Sequence, residues 1–178
     1  MRKPCETLRL YQKMTDFRAL LELLKTNGIE FIVIGGAAAT AHGSARLTRD
    51  LDVVYRRTPK NIQRLADALA IHKPYLRGAP PRLPFQWNSQ TIERGLNFTL
   101  ETDLGNLDLF GEVTGGGNYE QLLPHSESRR IYDVVCRCLK LRRLIEVKRA
   151  AGRPRDLEAV AELEALLEES RRATPKKD

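Results

Sequence analysis

The sequence predicts an α+β fold, a mixed sheet with flanking helices followed by a short helical unit at the C-terminal end. Three observations lead there. Residues 29–34 form an apolar run of strand length broken only by Glu30, the pattern of a central strand covered on both faces. Residues 97–101 and 106–113 are strand-like and meet across Thr102-Asp103-Leu104-Gly105, a hairpin signal. Between and around these strands, apolar residues recur at helical spacing, most clearly in residues 15–25, after Thr58-Pro59, and in 140–150 and 155–169.

In chain order, the first helix spans residues 15–25, with Leu20, Leu21, Leu23 and Leu24 behind Phe17. Thr15 or Asp16 caps its start and Gly28 suits its exit. The apolar strand at 29–34 breaks at Gly35-Gly36, and residues 37–41 start a short helix ended by Gly43. A second strand covers residues 50–55. Thr58-Pro59 then opens a helix, the hydroxyl as cap and the proline in the first turn, with Ile62, Leu65, Ala66 and Leu69 as its apolar face. Residues 73–84, with four prolines and a glycine, predict a mobile loop. After the hairpin, the three glycines of residues 114–118 predict another loop, and residues 131–138 a short strand. Two helices follow, 140–150 and 155–169, separated by Gly152-Arg153-Pro154, and the polar tail frays from about residue 171. The organisation expected is a core over residues 1–130 and a basic helical unit over 131–178 packed on it.

Composition narrows the function classes. The 178 residues are 42% hydrophobic and 30% charged, too apolar for a disordered chain and too charged for an integral membrane protein. The N-terminal residues 1–14 lack the apolar core of a signal peptide, so a soluble cytoplasmic protein with no membrane partner is expected. Cys5, Cys136 and Cys138 are odd in number and have no histidine cluster beside them, against a disulfide framework or a zinc site. A net charge of +7 leans toward an acidic partner such as a nucleotide or nucleic acid.

The chemistry concentrates in three carboxylates. Asp50 and Asp52 are two apart on a predicted strand, so they share a face. Asp108 lies on another predicted strand, where Leu107 and Leu109 take the opposite face. Adjacent carboxylates repel unless something positive joins them, and a divalent metal does so well. A solvated edge explains most D-x-D pairs, but these acids sit among Leu51, Val53 and Val54, and acids inside apolar strands need a reason. If the strands are neighbours, the three acids suffice for a two-metal phosphoryl- or nucleotidyl-transfer site. Gly35-Gly36 at the strand-to-helix junction leaves backbone N–H groups open to a phosphate, although a tight turn explains the pair equally well.

The pattern Gly35-Gly36, an Ala-rich turn, His42-Gly43 and then Arg46-x-Thr48-x-Asp50-Leu51-Asp52 resembles the DNA polymerase β-like nucleotidyltransferase superfamily. More narrowly, it resembles the AbiEii-type small nucleotidyltransferase-like proteins associated with toxin–antitoxin and phage-defence systems. The resemblance implies that Gly35 and Gly36 hold nucleotide phosphates, that Asp50, Asp52 and Asp108 bind two Mg2+ ions, with Mn2+ able to replace them, and that Arg46 and Thr48 steady the nucleotide or the turn. The second glycine is a departure from the frequent Gly-Ser, whose hydroxyl would add a hydrogen bond to phosphate.

Residues 137–155 carry eight basic residues against one acid, Glu146. Lys148 continues the Leu141–Leu144–Ile145 stripe at i+7 and should point inward, while Arg142, Arg143 and Arg149 should look outward as a surface for RNA. From spacing alone, an inward Lys148 that binds phosphate and one that snorkels to water stand level. The resemblance favours the former, since AbiEii-type proteins pair an inward lysine with an element like Arg153-Pro154-Arg155-Asp156. It implies nucleotide contacts for Lys148 and Asp156, although an acid at a helix start also complements the dipole. His42 is expected to pack or cap, and Cys136 and Cys138 to be chemically inert. The function expected is transfer of a nucleoside monophosphate from an NTP to a hydroxyl of RNA, such as a tRNA end, or of a protein, alongside a cognate toxin or antitoxin. The alternative is a non-catalytic, antitoxin-like module that binds nucleotide, RNA or protein.

Overall fold

The structure, a computed structural model, describes residues 14–173. The reading of the N-terminal segment as no signal peptide, together with Cys5, lies outside the described residues, as does the tail beyond residue 173. The fold is α+β, with a seven-stranded mixed sheet and seven α-helices among the described residues. No helix among them is long and apolar enough to cross a membrane.

Helix α1 (Phe17–Thr26) starts at Asp16, whose carboxylate accepts from the Ala19 N–H, and buries Leu20, Leu21 and Leu24. Strand β1 (Phe31–Val33) is wholly buried, as its unbroken apolar run requires. Helix α2 (Gly35–Ala41) begins on the glycine pair itself, earlier than the alanines alone indicate. Strand β2 (Asp50–Tyr55) matches its expected bounds, and helix α3 (Pro59–Ala70) has Thr58 as cap, bonded to the Asn61 N–H. Such a cap is worth about 1 kcal/mol.

The stretch expected as a mobile loop contains strand β3 (Tyr75–Leu76), which pairs antiparallel with β4 (Asn97–Thr102). Helix α4 (Ser89–Arg94) precedes β4, and β4 turns into β5 (Gly105–Phe110). The glycine-rich loop is a small hairpin of β6 (Glu112–Val113) and β7 (Gly117–Asn118), followed by helix α5 (Tyr119–Leu122).

Residues 131–138 prove to be two strands rather than one. Ile131 closes β8 (Ser126–Ile131), Tyr132 and Asp133 turn the chain with φ of 45° and 67°, and β9 (Val134–Leu139) returns. Residue 130 therefore falls inside a hairpin of the main sheet, and the helices α6 (Leu141–Ala151) and α7 (Pro154–Ala173) begin only after β9. Gly152, at φ 65°, supplies the left-handed stop between them.

The strand order is β3-β4-β5-β2-β1-β9-β8, with β2 parallel to β5 and β1 parallel to β9. Leu51, Val53, Leu107, Leu109, Phe98 and Leu100 alternate into the core, which α1, α3 and α4 complete with Leu24, Leu65 and Ile92. The alternate residues of β2 and β5 point to the other face. Lys148 of α6 and Arg153 beside α7 act on the charges of that face, so the α2–α6–α7 group borders it.

Candidate active site

The parallel register of β2 and β5 sets Asp52 directly opposite Asp108 and Asp50 opposite Asn106. The three acids therefore share one face of two adjacent strands, as the alternation in both segments requires. Asn106 Nδ2 donates to Asp50 Oδ1 at 2.8 Å.

Arg77, which follows β3, was not foreseen at this site. Its Nη2 donates to both carboxylate oxygens of Asp108, at 2.8 and 3.0 Å, and its Nη1 lies 3.1 Å from Asp50 Oδ1. That second contact is an ion pair out of hydrogen-bond alignment, so Nη1 is a buried donor without a hydrogen-bond partner. Among the described residues, no three His, Cys, Asp or Glu side chains stand together as a group able to hold a metal ion, and the guanidinium fills the space between Asp50 and Asp108.

Asp52 bears the electrostatic consequence. Burial pushes its carboxyl up from the ordinary 3.8 to about 7, and the charges of Asp108 and Asp50 act in the same direction. The Gly36 N–H and the Lys148 ammonium offset part of this rise. Burial also raises Asp108, against the pull of Arg77. The set offers only hard carboxylate oxygens, and Asp52 among them is pushed toward keeping its proton near neutral pH. That chemistry fits a divalent cation such as Mg2+.

The two glycines are explained by contact. A Cβ on Gly35, whose φ is 63°, would stand 2.1 Å from Asp52 Oδ2, and one on Gly36 would stand 2.5 Å from Thr48 Cβ. The serine whose absence marks a departure from Gly-Ser thus has no room here. Thr48 also donates its hydroxyl to the Asp50 carbonyl at 3.1 Å, which ties the turn to the acid-bearing strand.

Lys148 has the inward phase read from its helix: its side chain is 13% exposed and its Nζ lies 3.4 Å from Asp156 Oδ1. Asp156 is buried and also accepts from Arg153 Nε at 2.6 Å. The positive charge of Arg153 is strengthened by Asp156 first, and further by Asp52 and Asp108.

Other expected residues lie apart. Arg46 reaches α7 instead, where its Nη2 donates to Glu158 at 2.9 Å. Arg142 and Arg149 are exposed, but each faces an acid, Glu146 and Glu164 respectively. Arg143 is not an outward residue: it is half-buried, pairs with Glu146 at 2.7 Å and donates to the Gly116 carbonyl. It lines a cavity of about 560 Å³ with Asn97, Glu112 and the β6–β7 glycines, and none of the three strand acids lines that cavity.

His42 caps the end of α2, with Nε2 2.8 Å from the Leu139 carbonyl, and burial lowers its basicity. Burial pushes the Cys136 thiol up to about 11 and Cys138 to about 12, so neither is a nucleophile at neutral pH.

Asn106 was legible, since Asn106-x-Asp108 repeats the two-residue spacing of Asp50-x-Asp52. Arg153 was visible within the basic element, but nothing in its spacing tied it to the strand acids. Arg77 carried no periodic signal at all. Compared with models of known protein families and with curated proteins, the chain matches none.

Proposed function

We propose that the chain is a metal-dependent nucleotidyltransferase with a polymerase β-like fold, which moves a nucleoside monophosphate from an NTP to a hydroxyl group. The observation that carries this reading is the register of Asp52 opposite Asp108, with Asp50 two residues before, on a face bordered by half-buried Lys148. Asp50, Asp52 and Asp108 would hold Mg2+, or Mn2+ in its place. Bound there, the metal supplies neutralisation of charge on the reacting phosphate.

The chain's own groups do the rest. Lys148 is a compact ammonium facing the acids, suited to a nucleotide phosphate, and Asp156 holds it in place. Gly35 and Gly36 keep the entry of α2 close against Asp52 and Thr48, and the phosphates pass over that entry. Asp108, whose hold on a proton burial strengthens, takes the proton of the acceptor hydroxyl. The acceptor oxygen bonds to the α-phosphorus as the bond to the departing pyrophosphate breaks.

The acceptor is an RNA end, such as that of tRNA, or a protein hydroxyl in a toxin–antitoxin setting. The carboxylates beside Arg142, Arg143 and Arg149 reduce the positive charge that face offers to an RNA backbone, which favours the protein.

Incubation with each α-labelled NTP, Mg2+ and either total RNA or a cell lysate tests the reading. Label should enter one class of macromolecule. Asp50→Asn should reduce the rate on the order of 100-fold or more. Nucleotide binding without labelling by any NTP would instead favour the non-catalytic module.

A further inference from the structure

Arg77 occupies the carboxylates that a divalent ion needs. Its Nη2 spans both oxygens of Asp108 and its Nη1 sits 3.1 Å from Asp50. A guanidinium in that position and a metal ion on the same oxygens exclude each other. We propose that Arg77 is an exchangeable counter-ion: it keeps Asp50 and Asp108 paired without metal, and yields them to a divalent cation when the anionic triphosphate draws the guanidinium away. The inference rests on the nucleotidyltransferase reading of the same acids.

Three features support exchange over a permanent structural pair. First, the pairing is incomplete. Nη1 is buried with no hydrogen-bond partner, and an unmatched buried donor weakens the arrangement that holds it. Second, the backbone is anchored while the side chain is 24% exposed. The Arg77 N–H donates to the Thr99 carbonyl at 2.9 Å, fixing the Cα to the sheet edge. The next residue, Gly78, has φ 76°, and a Cβ there would meet nothing within 4 Å, so the chain is open on that side just beyond Arg77. Third, the other cations of the site are held elsewhere. Lys148 and Arg153 both pair with Asp156, so Arg77 is the cation bound to the proposed ligands themselves.

The consequence is coupling. Metal alone must displace a guanidinium that has nowhere better to go. With a triphosphate present, the guanidinium gains a new anionic partner and the carboxylates are released. Metal and nucleotide should then each tighten the other's binding, by a factor within the roughly 5–150-fold range usual for coupled sites.

Mn2+ binding to the full chain, followed by loss of the free-ion electron paramagnetic resonance signal, tests this without catalysis. In the absence of nucleotide, Arg77→Gln should bind Mn2+ about 10-fold or more tightly than the native chain. A non-hydrolysable NTP analogue should tighten Mn2+ binding to the native chain far more than to Arg77→Gln. Arg77→Lys, which keeps one charge but cannot span two carboxylates, should fall between, and it carries the test if the glutamine variant does not fold.

Equal or weaker Mn2+ binding by the folded variants would overturn the exchange while leaving the metal site standing. Asp50→Asn placed on Arg77→Gln separates the two claims. If it leaves Mn2+ binding unchanged, the ion sits elsewhere, and both the exchange and the nucleotidyltransferase reading fall. Absence of Mn2+ binding with and without analogue overturns both as well.

Discussion

Replacing Asp52 with asparagine should stabilise the metal-free protein while abolishing transfer. Asp52 is half-buried beside two other carboxylates, and desolvation pushes its carboxyl up from 3.8 to about 7. The folded state therefore holds a proton on Asp52 over a pH range in which the unfolded chain has lost it. Unfolding releases that proton, so stability falls as pH rises from about 4 to about 7 and levels off above. At pH 8 the penalty is on the order of 4 kcal/mol at its upper bound, and about 2–4 kcal/mol is a working range. Asparagine keeps the shape, leaves an oxygen facing the Gly36 N–H and carries no charge.

The assay is chemical denaturation with EDTA at pH 5 and pH 8, for the native chain and Asp52→Asn. The variant should be more stable at pH 8 by about 2–4 kcal/mol, or about 5–10 °C in melting temperature. The gap should narrow by more than half at pH 5, where the native carboxyl is mostly protonated. Titrating groups away from the cluster, His42 among them, act in both proteins, so the difference reports Asp52 and the charges coupled to it. A variant no more stable than the native chain at pH 8, or a gap that does not close toward acid pH, would refute the claim that Asp52 carries an uncompensated charge.

Gly36→Ser should destabilise by about 1–3 kcal/mol because its Cβ meets Thr48 at 2.5 Å, and the same change should cost less in a Thr48→Gly background; denaturation midpoints of the four proteins measure both. Lys148→Ala should weaken NTP binding about 10-fold or more, whereas Arg149→Ala, an exposed residue paired with Glu164, should stay within about 2-fold. Fluorescent-nucleotide titration of the two variants decides it, and equal affinities would place Lys148 outside the nucleotide site.

What was legible in the sequence follows from where each element sits in the sheet. The central strand β1 and its neighbours β2, β5 and β4 have apolar or alternating patterns because one or both faces are buried. The main-sheet strands that escaped, β3 and β8, are its two edges. An edge strand needs little apolar content. In β8, Glu127, Ser128, Arg129 and Arg130 stay polar between the buried ends Ser126 and Ile131. Its turn takes positive φ at Tyr132 and Asp133, residues that give no glycine signal. β3 is two residues long, set among prolines that read as loop. The site divides the same way. Asp50, Asp52, Asp108 and Lys148 follow from periods of two and 3.6, while Arg77 arrives from an edge strand that periodicity does not reveal.

The placement of charge adds to burial in raising the proton affinity of Asp52. The site holds four carboxylates, Asp50, Asp52, Asp108 and Asp156, near three cations, Arg77, Lys148 and Arg153. Arg77 is shared by Asp50 and Asp108, and Asp156 engages the other two. Asp52 receives from Lys148 only a distant attraction, weaker than the repulsion from Asp108. Its proton is thus the surrogate for a missing positive charge, and a divalent ion would supply that charge directly. Removing Arg77 exposes Asp50 and Asp108 to the same shortage. Arg77→Gln should therefore lose stability at neutral pH in EDTA, where Asp52→Asn gains it. Addition of divalent metal should restore Arg77→Gln more than it stabilises the native chain, because the variant offers the ion three carboxylates with no guanidinium to displace.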